Sequence, residues 1–163
     1  MSELFSEQII RRIAEVAGLY HRLVIMVAPS GAGKTAALHK VADRIGAPRI
    51  NLNLELSQRL TTLTERQRSL RLPALLDEIL NTALGEVVLL DNVEILFDVA
   101  LKQDPLRCLQ RLSRNRTVVV AWNGTAARDD RGHASLTYAA PDHPEFRRYP
   151  ATDLVLVEPS TST

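Results

Sequence analysis

The residues best suited to do chemistry run from Ala28 to Ala36: Ala28-Pro29-Ser30-Gly31-Ala32-Gly33-Lys34-Thr35-Ala36. The spacing is that of a P-loop, with alanine in place of the first glycine. Such a loop curls its backbone N–H groups around phosphate oxygens and points a helix N-terminus at them. Lys34 adds a positive point charge, and the Thr35 hydroxyl suits a Mg²⁺ ligand. Residues 29–36 (Pro29, Ser30, Gly31, Ala32, Gly33, Lys34, Thr35 and Ala36) are therefore the candidate phosphate cradle. Ala28 stands where a strand turns into the loop, and its Cβ is tolerable there if φ stays negative.

Two further apolar runs end in polar residues. "VVLLDN" closes on Asp91, which would bring a carboxylate beside the loop to hold Mg²⁺ together with Thr35. "VVVAWNG" ends at Asn123, either a group that reads the terminal phosphate or half of an Asn-Gly turn. Next to Asp91 stands Asn92, which orients water but accepts no proton at neutral pH. Two acids remain as bases, Glu94 three residues on and Glu55 at the expected end of a second strand. Trp122 and Cys108 read as core packing. His21, His39, His133 and His143 lack metal-ligand spacing, so no metal beyond Mg²⁺ is expected.

These residues need a scaffold. The 163 residues suffice for one core; 45% are hydrophobic, 24% are charged, and the net charge is +1. That balance supplies no global attraction for nucleic acid, although the cations are mostly arginine, which favours bidentate contacts. DNA binding through arginine stripes stays open as a secondary expectation. A single cysteine forms no intrachain disulfide and fits a cytoplasmic location. No run reaches the roughly 18 apolar residues of a membrane span, and the first residues do not read as a signal peptide.

The element pattern is a helix over 6–17, a buried strand at "RLVIMVAP" and a helix over 34–45. A strand at "RINLNLEL" follows, then helical sequence over 64–84 broken near Pro73, and a strand over 87–90. The chain continues with a helix over 104–114, a strand at "RTVVVAWNG" and a mobile polar loop at "TAARDDRGHAS". A short strand over 136–139, a short helix over 144–148 and a strand at "DLVLVE" complete it. Strands alternating with helices specify an α/β fold. The expected form is a three-layer sandwich on a five-stranded, mainly parallel sheet. The division is an N-terminal helix (1–20), a P-loop NTPase domain (21–158) and a disordered tail (159–163).

Taken together, "APSGAGKT", "INLNLELSQRLTTLTERQR", "LLDNVEILF", "VVVAWNG" and "HPEFRRYPATDLVLVE" resemble the BrxF family, small P-loop proteins of type 3 BREX phage-defence systems. The resemblance spans most of the chain. It implies a bacterial cytoplasmic ATPase using ATP and Mg²⁺ beside other BREX proteins. The core is also similar to an AAA+ ATPase module without its C-terminal helical lid. That likeness makes Asp91 the Walker B acid and Asn123 the sensor-1 residue. It also marks Asn92 as a departure, because AAA+ proteins usually carry glutamate there. The implied catalytic set is Lys34, Asp91, Asn92, Glu94 and Asn123. A missing lid implies ATP held at the boundary between subunits of a homo-oligomer. An arginine finger would then come from Arg114, Arg116, Arg128 or Arg131. Two alternatives remain: a nucleotide-binding adaptor without hydrolysis, and a small-molecule kinase.

Overall fold

The computed structural model describes residues 2–159. Residues 160–163, most of the expected disordered tail, lie outside them. The elements are α1 (Ser2–Val16), β1 (Leu23–Ala28), α2 (Lys34–Ile45), β2 (Arg49–Asn51), α3 (Leu52–Leu60) and α4 (Glu65–Asn81). Then come β3 (Val87–Asp91), two 3₁₀ turns (Val93–Phe97 and Val99–Leu101), α5 (Pro105–Leu112) and β4 (Thr117–Arg128). The chain ends with β5 (Ala134–Tyr138), β6 (Arg147–Pro150) and β7 (Val155–Val157).

Five strands form a parallel sheet in the order β2-β3-β4-β1-β7. Its central strands are buried on both faces, which is why they read as unbroken apolar runs. Val24, Met26, Val119 and Ala121 pack on one face against Phe5 and Ile9 of α1 and Leu38 and Val41 of α2. Leu23, Ile25, Val27, Val118 and Val120 pack on the other against α3, α4 and α5. The fold is thus mixed α/β in three layers. The chain leaves β1 for β2 across two strands in one direction and returns through β3 to β4 in the other. Right-handed crossovers then put α2 on one face and α3 to α5 on the opposite one.

Four sequence expectations are corrected. The strand at "RINLNLEL" ends after three residues, because the Asn51 side chain accepts from Leu54 N (3.1 Å) and caps a helix. Leu52, Leu56 and Leu60 recur every fourth residue and are buried, whereas Leu54 is 51% exposed. Alternating leucines contain both periods, and the cap decides between them. Second, α4 runs unbroken through Pro73. The carbonyl that proline cannot serve, Ser69 O, accepts instead from Gln103 Nε2 at 2.9 Å. At its start, Thr64 and Gln67 do form the expected capping box.

The third correction concerns the expected five strands and mobile polar loop, and of the two readings of Asn123-Gly124 the turn is excluded. β4 continues to Arg128 and pairs antiparallel with β5, which pairs with β6, so the whole sheet has seven strands. The "TAARDDRGHAS" segment is therefore mostly strand, closed by a turn in which Asp129 Oδ1 accepts from Arg131 N and His133 N. Last, no helix starts at Pro144. His143 Nδ1 accepts from Glu145 N (3.0 Å), and the chain enters β6.

The hairpin is anchored by an aromatic cluster. Phe97 stacks on Tyr138, and Trp122 meets both rings edge-on. The Trp122 indole N–H donates to Thr137 O at 2.9 Å. That approach requires glycine next door, since a Cβ on Gly124 would stand 1.8 Å from the same oxygen. Gly124→Ala should therefore destabilise the protein by about 3 kcal/mol, at the upper end for overpacking. A melting temperature equal to wild type would contradict this.

Candidate functional site

The site forms at the carboxyl ends of three adjacent strands, where open parallel sheets bind ligands. β1 delivers the loop, β3 delivers Asp91 and β4 delivers Asn123, which stands opposite Ala28 in register. A cavity of about 220 Å³ is lined by Ser30, Gly31, Gly33, Lys34, Thr35, Ala36, Asp91, Asn92, Glu94, Ala121 and Asn123. Of the expected cradle, Pro29 lines the neighbouring cavity instead. Ala32 donates its N–H to Pro29 O, at 3.3 Å, within the loop.

The loop follows from its glycines. Gly31 and Gly33 take φ of 83° and 89°, values that side chains rarely adopt. Gly33 is also the N-cap of α2, so the free N–H groups of that helix face the cavity. Lys34 is buried, and its ammonium donates to Ala28 O and Pro29 O, both at 2.8 Å. Burial holds its pKa below the ordinary lysine value, against the opposing pull of Glu94 and Asp91.

The Thr35 hydroxyl donates to Asp91 Oδ2 at 2.8 Å. A hydroxyl and a carboxylate, both hard oxygen donors, fit Mg²⁺, which takes few protein ligands and keeps water and phosphate for the rest. Among the described residues no cluster of three or more His, Cys, Asp or Glu forms another metal site.

Asn92 lies in the left-handed region at φ 57°, and its backbone N–H donates to Asp91 Oδ1 (2.9 Å). Asparagine tolerates that conformation better than glutamate does. The chain therefore turns sharply after Asp91 and presents Glu94, in the first 3₁₀ turn, to the same cavity. The Glu94 carboxyl is half-buried. Burial chiefly, with Asp91 adding to it, pushes its pKa above the ordinary carboxylate range, while its own backbone and Lys34 pull the other way. Glu55 is elsewhere: it lies on α3, paired with Arg59 at 3.1 Å, and does not line the cavity. Its expected position depended on a strand that does not form.

Sequence reasoning missed Arg49. It sits on β2, beside β3, with its guanidinium 3.6 Å from Asp91 Oδ2. A cation thus already faces the carboxylate assigned to Mg²⁺. Only the register of β2 against β3 brings it there, so nothing in the local sequence announces it. Arg49→Gln should lower the Mg²⁺ concentration needed for half-maximal nucleotide binding several-fold; an increase would show that Arg49 assists the site instead.

The candidate arginine fingers separate by location. Arg114 and Arg116 precede β4, at the sheet end opposite the cavity. Arg116 is tied to Leu80 O and Gly85 O, and Arg114 lies 4.8 Å over the Tyr20 ring. Arg128 donates to Gly132 O across the hairpin turn, and Arg131 lies exposed in that turn.

No known protein family matches the chain, and no curated protein matches it. Among solved structures it is similar to C. elegans PCH-2, with 18% identity and a TM-score of 0.38. The match covers 79% of this chain but 36% of that one. A likeness at that level identifies no family and assigns no activity. No helix among the described residues is long and apolar enough to cross a membrane.

Proposed function

We propose that the chain is a Mg²⁺-dependent, ATP-binding P-loop NTPase of AAA+-like type that hydrolyses ATP. One observation carries this reading: the Thr35 hydroxyl and the Asp91 carboxylate meet at 2.8 Å beneath a glycine loop that also holds Lys34. The α2 N–H groups and those of the loop bind the phosphate oxygens. Lys34 exchanges its two carbonyl acceptors for a phosphate. Thr35 and Asp91 would hold Mg²⁺, which when bound neutralises charge on the phosphates. Glu94 accepts a proton from the attacking water, and Asn123 helps to orient that water.

A second reading, a nucleotide-binding adaptor that recruits other proteins, is favoured by Asn92, which has no proton-accepting group next to Asp91. Assembly of like subunits around ATP is supported by the exposure of Ser30, Gly31, Gly33 and Thr35, which leaves the loop open to a neighbouring surface. The place in bacterial cytoplasmic BREX defence, with other BREX proteins as partners, rests on the sequence segments alone. DNA contact rests on the arginine stripes, such as Arg107, Arg111 and Arg114 at helical spacing, of which Arg111 is already engaged by Asp77.

The test is direct. Binding of a fluorescent ATP analogue should require Mg²⁺, phosphate release should follow, and solution mass should rise with Mg-ATP. Binding without any phosphate release would select the adaptor. No binding at millimolar nucleotide would sink both readings.

A further inference from the structure

A larger cavity adjoins the phosphate site. It measures about 670 Å³ and shares Ser30, Glu94 and Asn123 with the smaller one. The β4–β5 hairpin and the segment after β5 build its remaining walls, among them Gly124, Tyr138, Ala139 and Pro141. This volume falls within the range of small-molecule sites, and the exposed wall is mostly apolar surface, as in such sites. The polar groups are Thr125 and Thr137, whose hydroxyls lie 2.7 Å apart, with Tyr138, His143, Glu145 and the shared Ser30, Glu94 and Asn123.

No lysine or arginine lines this space, in contrast to the phosphate cavity with Lys34. Two carboxylates do. Anionic ligands are therefore disfavoured there, and an uncharged molecule is admitted. We propose that this cavity binds a neutral, partly apolar alcohol as phosphoryl acceptor, its hydroxyl directed at Glu94 on the wall common to both cavities. The proposal rests on the nucleotide reading given above and names a second substrate for that site.

The reaction balances without further reagents. The acceptor oxygen attacks the γ-phosphorus, and a new P–O bond forms. The bond from that phosphorus to the β–γ bridging oxygen breaks, and ADP leaves with the electron pair. The hydroxyl proton passes to Glu94 and then to solvent. Water entering the same space instead gives hydrolysis, so the two outcomes compete for one base.

The experiment supplies [γ-³²P]ATP and Mg²⁺ with two probes. One is the neutral fraction of a deproteinised small-molecule extract, freed of anions by ion exchange. The other is a mixture of thymidine and pyridoxine. Mg-ATP affinity is measured first, so that failure of nucleotide binding is seen separately. Label should appear in an organic phosphate ester. Ala140→Trp, at an exposed position lining the cavity, should reduce ester formation at least tenfold and keep Mg-ATP affinity within about twofold. Label found only in inorganic phosphate or left on ATP, with binding intact, overturns the proposal. So does undiminished ester formation in Ala140→Trp. Loss of nucleotide affinity in that variant would assign the cavity to the nucleotide itself and overturn it equally.

Discussion

Lys34→Met is expected to weaken triphosphate binding by roughly 30-fold or more while leaving the empty protein as stable as wild type, or more so. The loss follows from removing a desolvated charge from its anionic partner, a change that costs about 2–5 kcal/mol; about 2 kcal/mol is already a factor of roughly 30. The stability side follows from the same burial. In the folded chain the Lys34 pKa is lowered, chiefly by desolvation. The unfolded chain then binds more protons between the lowered value and the ordinary lysine value. Stability therefore rises with pH through that window, and below it the buried ammonium carries its full cost. Methionine keeps most of the aliphatic stem and removes the charge. The measurement pairs nucleotide titration with melting curves at several pH values. Wild type should gain stability across the alkaline window relative to Lys34→Met. Unchanged affinity would refute the assignment of the loop, and a large fall in melting temperature would show that the ammonium is a structural clamp.

Glu94→Gln should lower phosphate release by a factor of about 10²–10⁴, the range for a positioned general base, with Mg-ATP affinity nearly unchanged. The carboxyl is held above its ordinary range, mainly by burial and then by Asp91. Turnover should accordingly fall as pH drops through that raised value, and the fall should vanish in the amide variant. Stability moves in the opposite direction. A raised carboxyl binds more protons folded than unfolded, so the wild type loses stability as pH rises from the ordinary carboxylate value to the raised one. Glu94→Gln should lack this loss. A pH–rate profile for both proteins, with single-turnover kinetics, decides the matter. Equal rates would return the base to another subunit or leave the chain an adaptor.

Much of the site was legible because its chemistry is local in sequence. The glycines at 31 and 33, Lys34 and Thr35 fall within five consecutive positions, and their geometry is dictated by φ and by the start of α2. Asp91 and Asn123 stood out as polar ends of apolar runs, since a strand buried on both faces meets water only at its tips. The choice between Glu55 and Glu94 was not legible. Spacing cannot tell a strand from a helix when Leu52, Leu54, Leu56 and Leu60 make both periods available, and a single Asn51 cap settled it. The reach of β4 past Gly124 was hidden for a related reason. Asn-Gly favours a turn locally, but here the glycine admits the Trp122 indole to Thr137 O, and pairing with β5 overrides the dipeptide.

By itself, the sequence determined the alternation of strands and helices, the glycine loop before α2 and the two polar strand ends, because each depends on backbone conformation or burial over a few residues. Only the tertiary structure decided which acid faces the loop, that Arg49 meets Asp91, and that a second cavity opens beside Glu94. Those contacts join residues far apart in the chain. They depend on strand order, register and the packing of a hairpin, which no local pattern encodes.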